Sequence, residues 1–210
     1  MSMDTLRRCV MTLCGVAAIT AVLVIATGCE DDKSLGDGHD FGDNDPDLYL
    51  AMGDSITAAG WPAILAGKLG KPVINYSSGG ARSGVGASAV GGLLARYKPG
   101  YLLIMYGAND AINGADPDQT IANLQAMIAA ARANQTIPVV ATVTRMSGSH
   151  EAYAEAARNL SSRIRSLGGA GKADVERSLG TNPDYFQRDG LHPTPAGSER
   201  IAATFYSALN

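Results

Sequence analysis

The chain reads as an α/β protein, a three-layer α/β/α sandwich built on a five-stranded parallel sheet. Three observations carry this. Short apolar runs alternate with longer stretches of helical periodicity from Leu48 to the C-terminus. All but the last of the runs are nearly continuously apolar, as strands buried on both faces must be. Small polar residues and glycines follow the runs directly, so polar loops gather at the carboxyl ends of the strands, where open α/β sheets place their chemistry.

In chain order, strands are expected at Leu48 to Met52, Pro72 to Asn75, Tyr101 to Tyr106, Ile137 to Val143 and Ala173 to Val175. Helices fill the gaps. The first is expected from Trp61 to Leu69, and the second from Ala87 to Tyr97, where Gly91 and Gly92 weaken the propensity. The third is the best marked: Asp116 as N-cap, Pro117 at the first helical position and Gln119 as capping-box partner precede apolar residues at Ile121, Leu124, Met127 and Ile128. A fourth runs from Ala152 to Leu167, with Tyr153, Ala156, Leu160 and Ile164 as its buried stripe. The last follows Pro195 and carries Ile201, Phe205 and Leu209. This suits one domain of flavodoxin-like layering, without an internal repeat.

Before that domain lie two segments of other character. Arg7 and Arg8 precede an apolar stretch from Val10 to Ala26 that ends in small residues, the pattern of an export signal over residues 1–28. Cys29 follows, and the run IATGC resembles the lipobox of bacterial lipoproteins, which implies a lipidated Cys29 and an exported protein anchored to the cell envelope. Cys9 and Cys14 lie within the signal, so Cys29 would stand alone and no internal disulfide could form. Residues 29–47 hold eight carboxylates between Glu30 and Asp47 and hardly any apolar residue, so a flexible acidic tether is expected there, His39 solvated within it, and the folded domain at 48–210.

A net charge of −3 with no long basic run gives no electrostatic case for nucleic acid. No His/Asp/Glu cluster has metal-ligand spacing, and neither a Rossmann glycine pattern nor a P-loop is present, so neither metal nor cofactor is expected.

The loops after the strands hold the residues that bear chemistry. GDSIT, Gly53 to Thr57, follows the first strand; Ser55 there is either a helix cap or a nucleophile. NYSSGGARSG follows the second strand, and Gly79 and Gly80 let the backbone turn tightly or present its N–H groups to a bound group. GAND follows the third, where Asn109 suits an Asx turn or an amide aimed at negative charge. DGLHP precedes the last helix, with Asp189 and His192 three residues apart, a spacing that can hold Nδ1–H and leave Nε2 free as a base.

These four blocks, in this order, resemble the SGNH hydrolases, also called the GDSL esterase and lipase superfamily, over the chain from Leu48 onward. The resemblance implies a serine esterase acting on acyl or acetyl esters, with Ser55 as nucleophile, His192 as base and Asp189 as its orienting acid. It also implies an oxyanion hole from the backbone N–H of Ser55, that of Gly80 and the side-chain amide of Asn109. The expected partner is a small-molecule, lipid or glycan ester. A thioester, a lysophospholipid or a carbohydrate acetyl group would suit the same residues, and a non-catalytic ligand-binding lipoprotein is the rival from another class.

Overall fold

The computed structural model describes residues 34–210; the expected export signal, the expected lipid site Cys29 and the start of the acidic segment lie outside them. Five parallel strands, β1 (Asp45–Gly53), β2 (Val73–Ser77), β3 (Pro99–Met105), β4 (Ile137–Ala141) and β5 (Gly171–Ala173), form one sheet in the order β2-β1-β3-β4-β5. This is the flavodoxin-like order, in which the chain reverses direction across β1 and β3. Leu50, Met52, Leu102, Leu103, Ile104, Val139 and Val140 are fully buried, which is why the three inner strands read as apolar runs.

The helices are α1 (Ser55–Ala58), α2 (Trp61–Leu69), α3 (Ser83–Tyr97), α4 (Ala108–Ile112), α5 (Pro117–Ala133), α6 (Ala154–Arg165), α7 (Val175–Leu179) and α8 (Pro195–Leu209). On one face α8 packs against α2 and α7; on the other α5 packs between α3 and α6. The rings of Trp61 and Phe205, both fully buried, stack 4.3 Å apart and lock α2 to α8.

Several local expectations are corrected by tertiary partners. Helix α3 starts at Ser83 rather than Ala87, because the buried Asp110 carboxylate takes both the Ser83 N–H (2.9 Å) and its hydroxyl (2.6 Å). Asp116 does cap α5, accepting from the Asp118 N–H, but the Gln119 amide turns along the helix to Asn123 instead of closing a capping box. In α6 the buried stripe uses Ala157 in place of the expected Ala156, because a 3₁₀ segment, Gly148–Tyr153, comes first and shifts the helical phase. β5 ends at Ala173 because Asp174 leaves the sheet to cap α7 and to accept from Thr142 and Arg165.

The largest correction concerns the acidic segment. Over residues 34–47 it is no loose tether: the Leu35 N–H donates to Leu209 O at 2.9 Å, His39 Nε2 meets Gln135 O at 3.1 Å, and Asn44 pairs with Asn134. Phe41 packs against the core beside Tyr101, and Asp45 already belongs to β1, opposite Pro99. Composition misleads here because one apolar anchor, Phe41, backbone bonds and a set of turn-forming Asp, Asn and Gly residues suffice to dock a short segment on the rest of the fold.

Candidate active site

At the end of β1 the backbone turns at Gly53, where a β-carbon would lie 2.7 Å from Met105 O and closer still to the Thr57 hydroxyl. Only glycine lets the strand pass so near its neighbours. Asp54 then caps the one-turn helix α1 by accepting from the Ile56 N–H at 2.9 Å. The capping thus belongs to Asp54, and the hydroxyl of Ser55 is left for another partner.

That partner is His192. Its Nε2 lies 2.9 Å from Ser55 Oγ, while Nδ1 lies 2.6 Å from Asp189 Oδ2. The carboxylate is an acceptor, so Nδ1 carries the proton and Nε2 is free to accept from the serine hydroxyl. The second Asp189 oxygen accepts from the N–H groups of Leu191 (3.0 Å) and His192 (3.1 Å). Partial burial pulls the Asp189 pKa upward, but the bond from the His192 ring and the two backbone bonds outweigh it and hold the carboxyl down to about 2.

The loop itself is braced. Gln187 N–H donates to His192 O at 2.8 Å, Thr194 N–H to Tyr185 O at 3.0 Å, and Ser147 N–H to Gly190 O at 3.0 Å. Ser149 Oγ and His150 Nδ1 both reach the carbonyl of Asp189, at 3.1 and 2.8 Å. Nothing local in the sequence marks Ser149 and His150, because Ser149 stands forty residues before the carbonyl that it braces and His150 thirty-nine.

Gly80 and Asn109 lie on the neighbouring loops, after β2 and β3. Gly80 is left-handed, with φ of 74°, which orients the turn before α3. Asn109 Nδ2 donates to Asp54 Oδ2 at 3.1 Å and to Ala81 O at 3.3 Å, so one amide ties together the loops of β1, β2 and β3. Asp110, next in sequence, anchors the same loop to Ser83 and Thr120. Among the described residues no three His, Cys, Asp or Glu side chains converge as metal ligands.

Asp54 is the most deeply buried carboxyl of this network. Burial pushes its pKa up to about 6, against the opposing effect of the bonds from Ile56 and Asn109. A carboxyl whose folded pKa exceeds its unfolded value of 3.8 binds more protons in the folded state, so stability falls as pH rises from about 4 to about 6 and is level above. Asp54→Asn should remove that slope. Urea unfolding of both proteins at pH 4 to 7 should show the variant gaining on the wild type by on the order of 2–3 kcal/mol across the window. Parallel curves would show that Asp54 does not titrate there.

Serine, imidazole and carboxylate in this chain of contacts can activate the hydroxyl for attack on an electrophile. The comparisons with known proteins agree with that chemistry. Residues 51–200 match the GDSL-like lipase/acylhydrolase family. "Esterase TesA" of Pseudomonas aeruginosa is 30% identical over 180 residues, covering 76% of this chain and 86% of that protein. "Thioesterase 1/protease 1/lysophospholipase L1" of Escherichia coli K12 is 27% identical over 171 residues, covering 74% of this chain and 80% of that protein. The crystal structure of a TesA superposes with a TM-score of 0.68 at 27% identity, covering 78% of this chain and 98% of that one. An acetylxylan esterase from Geobacillus stearothermophilus, 18% identical with a TM-score of 0.67 over 80% of this chain and 95% of that one, shares the fold. The chain therefore belongs to the GDSL-like lipase/acylhydrolase family and is a GDSL-type serine ester hydrolase.

Proposed function

We propose that the protein hydrolyses carboxylic esters through Ser55, His192 and Asp189. The observation that carries this reading is the unbroken relay from Asp189 through the imidazole to the Ser55 hydroxyl, at 2.6 and 2.9 Å. Ser55 Oγ attacks the ester carbonyl while its proton passes to His192 Nε2. The tetrahedral oxyanion faces the N–H groups of Ser55 and Gly80, and the Asn109 amide turns to it by giving up its longer bond, the one to Ala81 O. The carbon–oxygen bond to the alcohol then breaks, and Nε2 protonates the leaving oxygen. Water, deprotonated by the same nitrogen, cleaves the acyl-serine and restores the enzyme.

The test is labelling with a fluorophosphonate. Wild type should be labelled and Ser55→Ala should not; equal labelling of the two, or none of either, would sink the proposal. Asn109→Ala should lower kcat about a hundred- to thousandfold with little change in KM, measured on a chromogenic ester. A loss confined to KM would remove Asn109 from the oxyanion hole.

The name of the Escherichia coli relative adds thioesters and lysophospholipids to the acyl donors worth assaying, since a thiol or a glycerophosphate can leave from the same intermediate. We propose also that Cys29 is lipidated and holds the enzyme at the cell envelope, on the strength of the IATGC run behind an apolar stretch. Cys29→Ser should then move the protein from the membrane fraction to the soluble one; unchanged partitioning would exclude the anchor.

A further inference from the structure

A pocket of about 480 Å³ opens on the β4 and β5 side of the histidine loop. Three arginines line it: Arg145 from the loop after β4, Arg158 from α6 and Arg188 from the histidine loop itself. Against them stands one lining carboxylate, Glu151. Arg145 reaches Glu176 at 3.9 Å, but the other oxygen of Glu176 belongs to Arg165 at 2.8 Å. Among the described residues, Arg158, Arg188 and Glu151 form no ion pair, so the pocket carries an uncompensated positive charge. Phe186 and the buried Met146 add apolar wall, which suits a ligand that is anionic at one point and hydrocarbon elsewhere.

Ser55, Asp189 and His192 do not line the pocket, which adjoins them through the histidine loop. Arg188 and Gly190, both in its wall, flank Asp189, and Gly190 is two residues from the histidine whose Nε2 is 2.9 Å from Ser55 Oγ. Two Cα steps and one imidazole put that wall within about 15 Å of the serine oxygen. Guanidinium forks bind carboxylate and phosphate with two parallel bonds, so a pocket with two unpaired ones favours such groups over neutral ones.

We propose that this pocket holds the anionic end of the substrate, a carboxylate or a phosphate on a short hydrocarbon spacer, so that the enzyme prefers anionic esters to neutral ones of equal length. The proposal rests on the esterase reading of Ser55. Arginines that are merely solvated would treat both esters alike.

The experiment compares 4-nitrophenyl hexanoate with the 4-nitrophenyl monoester of adipic acid, which share a leaving group and differ by one carboxylate. Wild type should favour the anionic ester in kcat/KM by about ten- to hundredfold, the range for hydrogen bonds to a charged group, and added salt should shrink the preference. Arg158→Gln/Arg188→Gln should lose it through a raised KM for the adipate ester and leave the neutral ester unchanged. No preference in wild type, or equal losses on both esters, overturns the proposal. A second arm needs no turnover: calorimetric titration of Ser55→Ala with 3-phenylpropanoate and with phenyl phosphate separates carboxylate from phosphate binding, and the double arginine substitution should abolish the heat. If wild type is inert toward both esters yet the probes bind at these arginines, the esterase reading fails and the anion pocket stands. If the esters turn over and neither probe binds, the pocket fails and the esterase reading stands.

Discussion

Ser55→Ala is expected to lower kcat on any ester substrate by about 10⁴- to 10⁶-fold, with KM nearly unchanged. In the proposed reaction the Ser55 hydroxyl forms the acyl bond, and the other hydroxyl of α1, that of Thr57, is fully buried and out of reach of a substrate. The fold should be untouched, because Asp54, not Ser55, caps α1, and the Ser55 hydroxyl bonds only to His192, at 2.9 Å. His192→Ala should cost about as much, and the double variant little more than either single one, since two residues that act on one proton transfer fail together. Steady-state kinetics on a chromogenic ester, with thermal unfolding as the control for folding, decide it. Additive losses, or residual activity within about a hundredfold of wild type, would assign the nucleophile elsewhere.

Asp189→Asn should reduce kcat by about 10⁴-fold while the protein folds normally. The replacement keeps an oxygen where Asp189 Oδ1 now accepts from Leu191 and His192, so the turn survives. At the other position an amide donor faces His192 Nδ1, now 2.6 Å from Oδ2. That donor forces the ring proton onto Nε2, which then faces the Ser55 hydroxyl as a donor rather than a base. Asp189→Ala should be separable from it, because the alanine also removes the acceptor of two backbone N–H groups and lowers stability. A depressed carboxyl contributes stability at pH above its unfolded value of 3.8, and the contribution is lost as pH falls through about 2. The acid limb of the unfolding curve below pH 4 should therefore be shallower in both variants. This window lies below the one in which Asp54 titrates, so the two carboxyls can be told apart.

Much of the site was legible because its blocks are local. GDSI and GAND each follow a buried strand and DGLHP precedes the last helix, and the Asp189 to His192 spacing of three residues is what lets one carboxylate cap the turn and hold the ring. Ser55 itself is ambiguous in isolation; a serine after a buried strand caps helices more often than it reacts. The structure separates the roles by giving the cap to Asp54.

The parts that were not legible join residues far apart in the chain. Asn109 is bonded to Asp54, fifty-five positions away, and the start of α3 depends on Asp110, twenty-seven positions beyond Ser83. The acidic residues 34–47 have the composition of a tether, yet dock by backbone bonds to Leu209 and by the ring of Phe41. Arg145, Arg158 and Arg188 look like scattered surface charge until β4, α6 and the histidine loop bring them to one pocket.

Sequence alone determined the alternation of strands and helices and the order of the reactive loops, because hydrophobic periodicity and turn chemistry act between near neighbours. Only the tertiary structure decided which polar groups meet. Strand order sets those distances, and a buried carboxylate such as Asp54 takes its pKa from whatever the fold lays against it.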